Sequence, residues 1–158
     1  MKQRLFFVML LLSLATFAQT GQTYQIGILI DQMNPEMSPL LEQLKSEVVA
    51  VVGEDANIQF PQENILINGF DVAKAKQNYD QLINNNTDII LAFGVVNNQI
   101  ISAKESHKKP TILFGAVNRD LHNLDLTNAT SGIENFTYLV ESESYEEDFK
   151  KFKDLTKL

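Results

Sequence analysis

The chain of 158 residues contains no cysteine. This absence excludes disulfides, cysteine-based zinc sites, a thiol nucleophile and the lipid-bearing cysteine of a bacterial lipoprotein. Basic residues are also scarce, since 13 Lys and Arg stand against 20 Asp and Glu and the formal net charge is −7. Nucleic-acid affinity depends mainly on Lys and Arg that neutralise phosphates. The excess of acidic residues therefore argues against a nucleic-acid partner.

The motifs of common catalytic and cofactor sites are missing as well. The sequence has no G-x-G-x-x-G, no Walker loop, no H-E-x-x-H and no G-x-S-x-G. Its two histidines, His107 and His122, are isolated in polar segments, and we expect solvated side chains there; the alternative is a catalytic group or metal ligand. We predict no cofactor, no metal site and no enzymatic activity.

Only the first residues form a long apolar run. Lys2 and Arg4 precede the almost wholly apolar residues 5–17, and Ala18 offers a small residue for cleavage. Such a run is too short to cross a hydrocarbon core of roughly 30 Å, so it predicts a cleavable signal peptide over residues 1–18. The alternative is a buried N-terminal helix. Cleavage would leave 11 basic and 20 acidic residues, a net charge of −9.

The stretch TDIILAFG at residues 87–94 is the clearest fold indicator. It is a short apolar run that ends in glycine, which is typical of a central strand buried on both faces of a parallel sheet. The following VVNNQII predicts a helix whose first N–H groups lie beside the carboxyl end of the strand. In open α/β sheets, ligands bind in the crevice at that end.

The rest of the chain alternates in the same way between apolar runs and amphipathic segments. We predict a three-layer α-β-α fold with a five-stranded parallel sheet in the flavodoxin-like order 2-1-3-4-5. Strands are predicted in residues 24–31, 57–68 (interrupted by Pro61), 87–94, 109–115 and 129–136. Helices are predicted from Asn34–Pro35 to Gly53, from Asp71 to Asn84, from Val96 to His107 and over residues 145–158.

The candidate binding residues are those that follow the strands at this edge. Glycines would let backbone approach a ligand, asparagines offer donors and acceptors, a phenylalanine could stack, and the helix start near Val96 would favour an anionic or carbonyl oxygen. The alternative is a purely structural role, with glycine in turns, asparagine as a cap and Asp31 capping the first helix. The candidates are Asp31, Gln32, Met33, Phe93, Gly94, Val95, Asn97, Val117 and Asn118.

Four short motifs carry a family resemblance. They are QIGILID at residues 25–31, TDIILAFG at 87–94, KPTILFGAVN at 109–118 and TSGI at 130–133. Together with the predicted leader, they resemble the substrate-binding proteins of ABC transporters with the type I periplasmic-binding fold. Within that class they are similar to the branch whose amino lobe carries P-D-L-I-V-A, I-P-I-V-F and a following G-I.

The resemblance implies a two-lobed receptor of which this chain provides the first lobe. Residues 22–138 would form the amino-terminal ligand-binding lobe, and residues 139–158 the crossover and first helix of a second lobe. The implied function is a periplasmic solute-binding component of an ABC uptake system, holding an amino acid or similar small polar compound and docking on a membrane permease. The alternative is an exported sensor or interaction module with the same fold and no transport role.

Overall fold

The computed structural model describes residues 21–53, 55–114, 130–139 and 145–156, without the side chains of residues 145–149 and 151. Within them, strands and helices largely alternate along the chain. The strands are β1 (Thr23–Ile30), β2 (Asn57–Gln59), β3 (Ile65–Ile67), β4 (Ile89–Phe93), β5 (Thr111–Phe114) and β6 (Phe136–Tyr138). The helices are α1 (Met37–Val52), α2 (Val72–Asn84), α3 (Val95–Ser102) and α4 (Tyr145–Thr156), and a 3₁₀ turn spans Gln62–Asn64.

All strand pairs in the sheet are parallel, in the order β2-β1-β4-β5-β6. Strand β3 also pairs with β1, further along it than β2 does. Strands β2 and β3 are therefore two halves of one edge strand, separated by Pro61 and the 3₁₀ turn, because proline has no N–H to donate to a ladder. Counted as one strand, they give the order 2-1-3-4-5, and the predicted α/β fold class is confirmed.

The sheet is covered on both faces. Alternate residues of β1 point to opposite sides, so Leu29 packs with α2 and α3 whereas Ile28 packs with α1. Both residues are fully buried, as are Ile90 and Leu113 on the neighbouring strands. The apolar runs in the sequence reflect this burial on both faces.

Two of the predicted boundaries in the later part of the chain were wrong. Helix α3 ends at Ser102, not at His107, and the last strand covers Phe136–Tyr138, not residues 129–136. Gly132 and Asn135 have φ angles of 70° and 56°. This left-handed conformation is incompatible with a strand, so the segment before Phe136 turns and pairing begins only afterwards.

The expectation that His107 is solvated was also wrong. Its side chain is only 4% exposed, its Nδ1 atom lies 2.7 Å from the Tyr79 hydroxyl, and its ring stacks on Phe136 at 4.7 Å between centroids. Burial, with a smaller contribution from the charge of Lys104, lowers the pKa of His107 to about 4. His107 lies in the connection between α3 and β5. Through Tyr79 and Phe136 it links this connection to α2 and β6, near the amino ends of β5 and β6. His122 lies outside the described residues.

Candidate functional site

Asp31 follows β1 and lies at the start of α3. Its side chain is only 3% exposed, and its carboxylate accepts hydrogen bonds from the backbone N–H groups of Val96 (2.8 Å) and Asn97 (3.2 Å). These are first-turn donors that have no partner within the helix, and a negative charge is favourable beside them. Asp31 therefore caps α3 from a distant strand. Helix α1 is instead preceded by Asn34, whose Oδ1 accepts from the N–H groups of Glu36 and Met37.

Gly94 lets the Asp31 carboxylate approach α3 this closely. It has φ 101° and ψ 163°, a combination essentially restricted to glycine. A Cβ atom at this position would overlap the Asp31 carboxylate and lie 2.8 Å from the Asp31 Cβ. Gly94 was predicted to let the backbone approach a ligand closely. In the described structure, the group that approaches the backbone at Gly94 is the Asp31 side chain.

Asn68 connects the two sides of this edge. Its Nδ2 donates to Asp31 Oδ1 (2.8 Å) and to Asn97 Oδ1 (3.1 Å), while Asn97 Nδ2 donates to the Phe93 carbonyl (2.9 Å). All three polar side chains are buried. We call this the Asp31–Asn68–Asn97 network. It joins the segments that follow β1 and β3 to the start of α3.

Asn68 was missed as a site residue by the sequence reasoning. Its position directly after the second half of the interrupted strand indicates the carboxyl edge of the sheet, since parallel strands end together. The backbone confirms that placement, because Asn68 N–H donates to the Ile30 carbonyl (3.1 Å) and Gly69 N–H to the Asp31 carbonyl (2.8 Å).

Phe70 is the second residue at this edge that the sequence reasoning missed. It has φ 63°, follows Gly69 at φ 68°, and its N–H donates to Asn68 Oδ1 at 2.7 Å. A bulky residue in the left-handed region is strained, at a cost of roughly 1–3 kcal/mol. The side chain nevertheless remains 54% exposed. Asp71, where the predicted helix begins, caps α2 by accepting from Lys74 N–H at 2.9 Å.

The remaining predicted site residues have varied surroundings. Gln32 and Val95 are exposed, the latter at 69%, whereas Met33 is half-buried against the α1 side of the core. Phe93 is half-buried and stacks on Phe114 with 4.7 Å between ring centroids. Val117 and Asn118 lie outside the described residues. The structure therefore brings Asp31, Gly94 and Asn97 together.

The described segments at this edge carry acidic charge. Segments 31–36, 67–71 and 93–97 contain Asp31, Glu36 and Asp71 and no Lys, Arg or His; Lys74 follows one turn into α2. Within the described residues, no group of three His, Asp or Glu side chains could hold a metal ion. Two first-turn N–H groups of α3, which were candidates for an anionic ligand, are already bonded to Asp31.

Comparison with known proteins adds no relative: no protein-family model matches the chain, and neither a curated protein nor a solved structure is significantly similar to it. Across the described parts of the chain, no helix is long and apolar enough to cross a membrane. The class of protein that is shown is therefore an α/β protein with a parallel sheet covered by helices.

Proposed function

We propose that this chain is an exported solute-binding lobe that holds a small molecule at the carboxyl edge of its sheet. The observation that supports the proposal most is the Asp31–Asn68–Asn97 network. It fixes the ends of β1, β3 and β4 relative to one another through buried, mutually satisfied polar groups. A surface fixed in this way loses little conformational entropy when a ligand binds.

The location of the network supports the same proposal. Ligands of open α/β sheets bind outside the carboxyl ends of the strands, where the strand order reverses. Here β1 and β4 are neighbours although β1 leads first to β2 and β3 on its other side. The reversal point therefore lies between β1 and β4, and Asp31 and Gly94 follow these two strands.

A binding role fits this edge better than a hydrolytic one. Asp31 is a strong acid at the proposed crevice, but its carboxylate is buried and accepts three hydrogen bonds from the protein. A general base must reach the proton that it removes. Asp31 is occupied in capping α3, which makes it a poor candidate for that role.

The transport role is proposed from the family resemblance. In that proposal the chain is the periplasmic component of an ABC uptake system, a second lobe closes over the solute, and the closed form docks on a membrane permease. The proposed signal peptide, residues 1–18, lies outside the described residues. Because function belongs to a site and not to a fold, the transport role needs its own test.

An exported sensor or interaction module is the second candidate function. Several apolar side chains near the carboxyl edge are exposed, namely Ile67, Phe70, Val72 and Val95. Such side chains suit a protein partner as well as a solute. The two functions differ in what they bind, so a small-molecule screen separates them.

The test is a thermal-shift screen of the chain with amino acids, short peptides, sugars, nucleosides and organic anions, followed by NMR mapping of each hit. A ligand that binds only the folded state raises Tm. We expect a hit to shift the backbone amides of Val96 and Asn97 and to leave Ile58, at the opposite end of the sheet, unchanged. Hits that perturb only the Ile58 end, or no hit at all, would contradict a solute site at the carboxyl edge.

A further inference from the structure

We propose that Phe70 is the aromatic contact of the solute, and that the solute presents a flat apolar face and carries no net negative charge. This inference rests on the proposed solute-binding function and adds the chemical class of the ligand. It assigns a specificity role to a residue that the predicted site did not include.

The backbone at Phe70 is the first reason. The left-handed backbone after Gly69 would be accommodated best by glycine, which has no Cβ atom, or by asparagine, whose short polar side chain can hydrogen-bond locally. The chain has phenylalanine there. The ring does not compensate by filling the core, since Phe70 is 54% exposed. Strained residues of this kind cluster at ligand clamps and active sites.

The rigidity of the loop is the second reason. Three consecutive N–H groups are bonded within the site: Asn68 to Ile30, Gly69 to Asp31, and Phe70 to the Asn68 side chain. Asn68 is in turn bonded to Asp31 and Asn97. The Phe70 backbone is therefore held relative to the start of α3, and the exposed ring projects from a fixed support.

The surrounding chemistry indicates which solutes fit. Val72, the first residue of α2 and two positions after Phe70, is 45% exposed, and Val95, the first residue of α3, is 69% exposed at the same edge of the sheet. The edge that carries Phe70 therefore offers apolar contacts. The carboxylate of Asp31 is bonded to the first turn of α3, so a second carboxylate would meet a like charge and fewer free donors. A neutral ring satisfies both conditions, and aromatic rings add attraction beyond their buried area.

Matched probes test the ring and the charge separately. Benzamide is compared with acetamide, which lacks the ring, and with benzoate, which replaces the amide by a carboxylate; adenosine is compared with ribose. Each is titrated into ¹⁵N-labelled protein while the amides of Phe70, Val96 and Asn97 are followed. We expect benzamide to bind at least about tenfold more tightly than acetamide or benzoate, and adenosine at least about tenfold more tightly than ribose; tenfold corresponds to about 1.4 kcal/mol.

Variants of Phe70 test the residue itself. Phe70→Gly should lower the affinity for benzamide about tenfold, which again corresponds to about 1.4 kcal/mol, whereas Phe70→Tyr should keep the affinity of the parent chain. Phe152→Gly is the matched control, because Phe152 is an exposed phenylalanine on α4 with a similar exposed fraction, 57%. It should leave benzamide binding unchanged. The Tm of Phe70→Gly should stay close to that of the parent chain, since glycine suits the backbone angle.

The outcomes separate this inference from the proposed function. Probes that shift the carboxyl-edge amides equally in the parent chain and in Phe70→Gly would overturn the role of Phe70 and leave the solute site standing. Tighter binding of acetamide, ribose or benzoate than of the neutral rings would overturn the ligand class. A large fall in the Tm of Phe70→Gly would show that the ring is structural. If no probe or screened solute shifts these amides, the solute site itself is wrong.

Discussion

A double-mutant cycle between Asp31 and Gly94 tests the central feature of the carboxyl edge, namely that a carboxylate from β1 occupies the space that a side chain at residue 94 would need. Asp31→Ala removes a helix cap and leaves buried donors without their acceptor. Charge-assisted capping bonds of this kind make the expected loss of unfolding free energy about 3 kcal/mol.

Gly94→Ala acts through two separate effects. The backbone angles of Gly94 are unfavourable for alanine, and the new methyl group would also overlap the Asp31 carboxylate. Strain and overlap together should cost about 4 kcal/mol. In the double variant with Asp31→Ala the overlap with the carboxylate disappears and only the 2.8 Å approach to the Cβ atom of residue 31 remains. The loss of unfolding free energy in the double variant should therefore be about 2 kcal/mol smaller than the sum of the two single losses, within the range for residues in contact.

Asp31→Asn supplies the matched control. It removes the charge but keeps the bulk that Gly94→Ala meets, so its cycle with Gly94→Ala should be nearly additive. The assay is urea unfolding followed by far-UV circular dichroism at pH 7.5, with the free energies compared across both cycles. Additivity within about 0.5 kcal/mol in the Asp31→Ala cycle would refute the contact between these two residues.

Two further predictions concern polar groups away from the carboxyl edge. The folded pKa of His107 is about 4 against an ordinary 6.5, so the unfolded chain binds the proton first as pH falls. Stability should therefore drop by up to about 3 kcal/mol between pH 6.5 and pH 4, and His107→Gln should lack this part of the pH dependence in urea unfolding. Lys109 Nζ donates to the carbonyls of Leu82 (2.8 Å) and Asn85 (2.7 Å) at the end of α2. Lys109→Met should lower the unfolding free energy by about 2 kcal/mol, whereas the exposed neighbour Lys108→Met should change it little; equal losses would contradict the capping role.

The sheet could be predicted from the sequence because its strands are buried on both faces. A residue such as Leu29 or Ile90 has apolar neighbours on either side in sequence, and a short apolar run of this kind is typical of a parallel strand covered on both faces. The last strand was misplaced because residues 130–135 contain apolar Ile133 between left-handed turns. Its apolar character reflects packing against the core from a loop, which periodicity alone does not distinguish from a strand.

The location of the candidate site could be predicted from the sequence, but its hydrogen bonds could not. The edge itself follows from strand order, so Asp31, Gly94 and Asn97 were found together. The sequence does not show that Asp31 caps the third helix instead of the first, because that choice depends on β1 lying beside β4. Asn68 and Phe70 were missed because a loop after an interrupted three-residue strand has no periodic pattern. Their roles depend on a hydrogen bond to Asp31 and on one positive φ angle.

The two ends of the described sheet use buried polar groups differently. Near the amino ends of the later strands, His107 is hydrogen-bonded to Tyr79, and Lys109 donates to the last carbonyls of α2. These bonds hold the connection between α3 and β5 against α2. At the carboxyl end, the polar groups are directed inward at Asp31, while Phe70 and Val95 are exposed. If the solute site lies there, substitutions of His107 or Lys109 should change stability without changing the intrinsic affinity of the folded chain. Changes at Asn68 should alter both, because the same side chain supports the fold and positions Phe70.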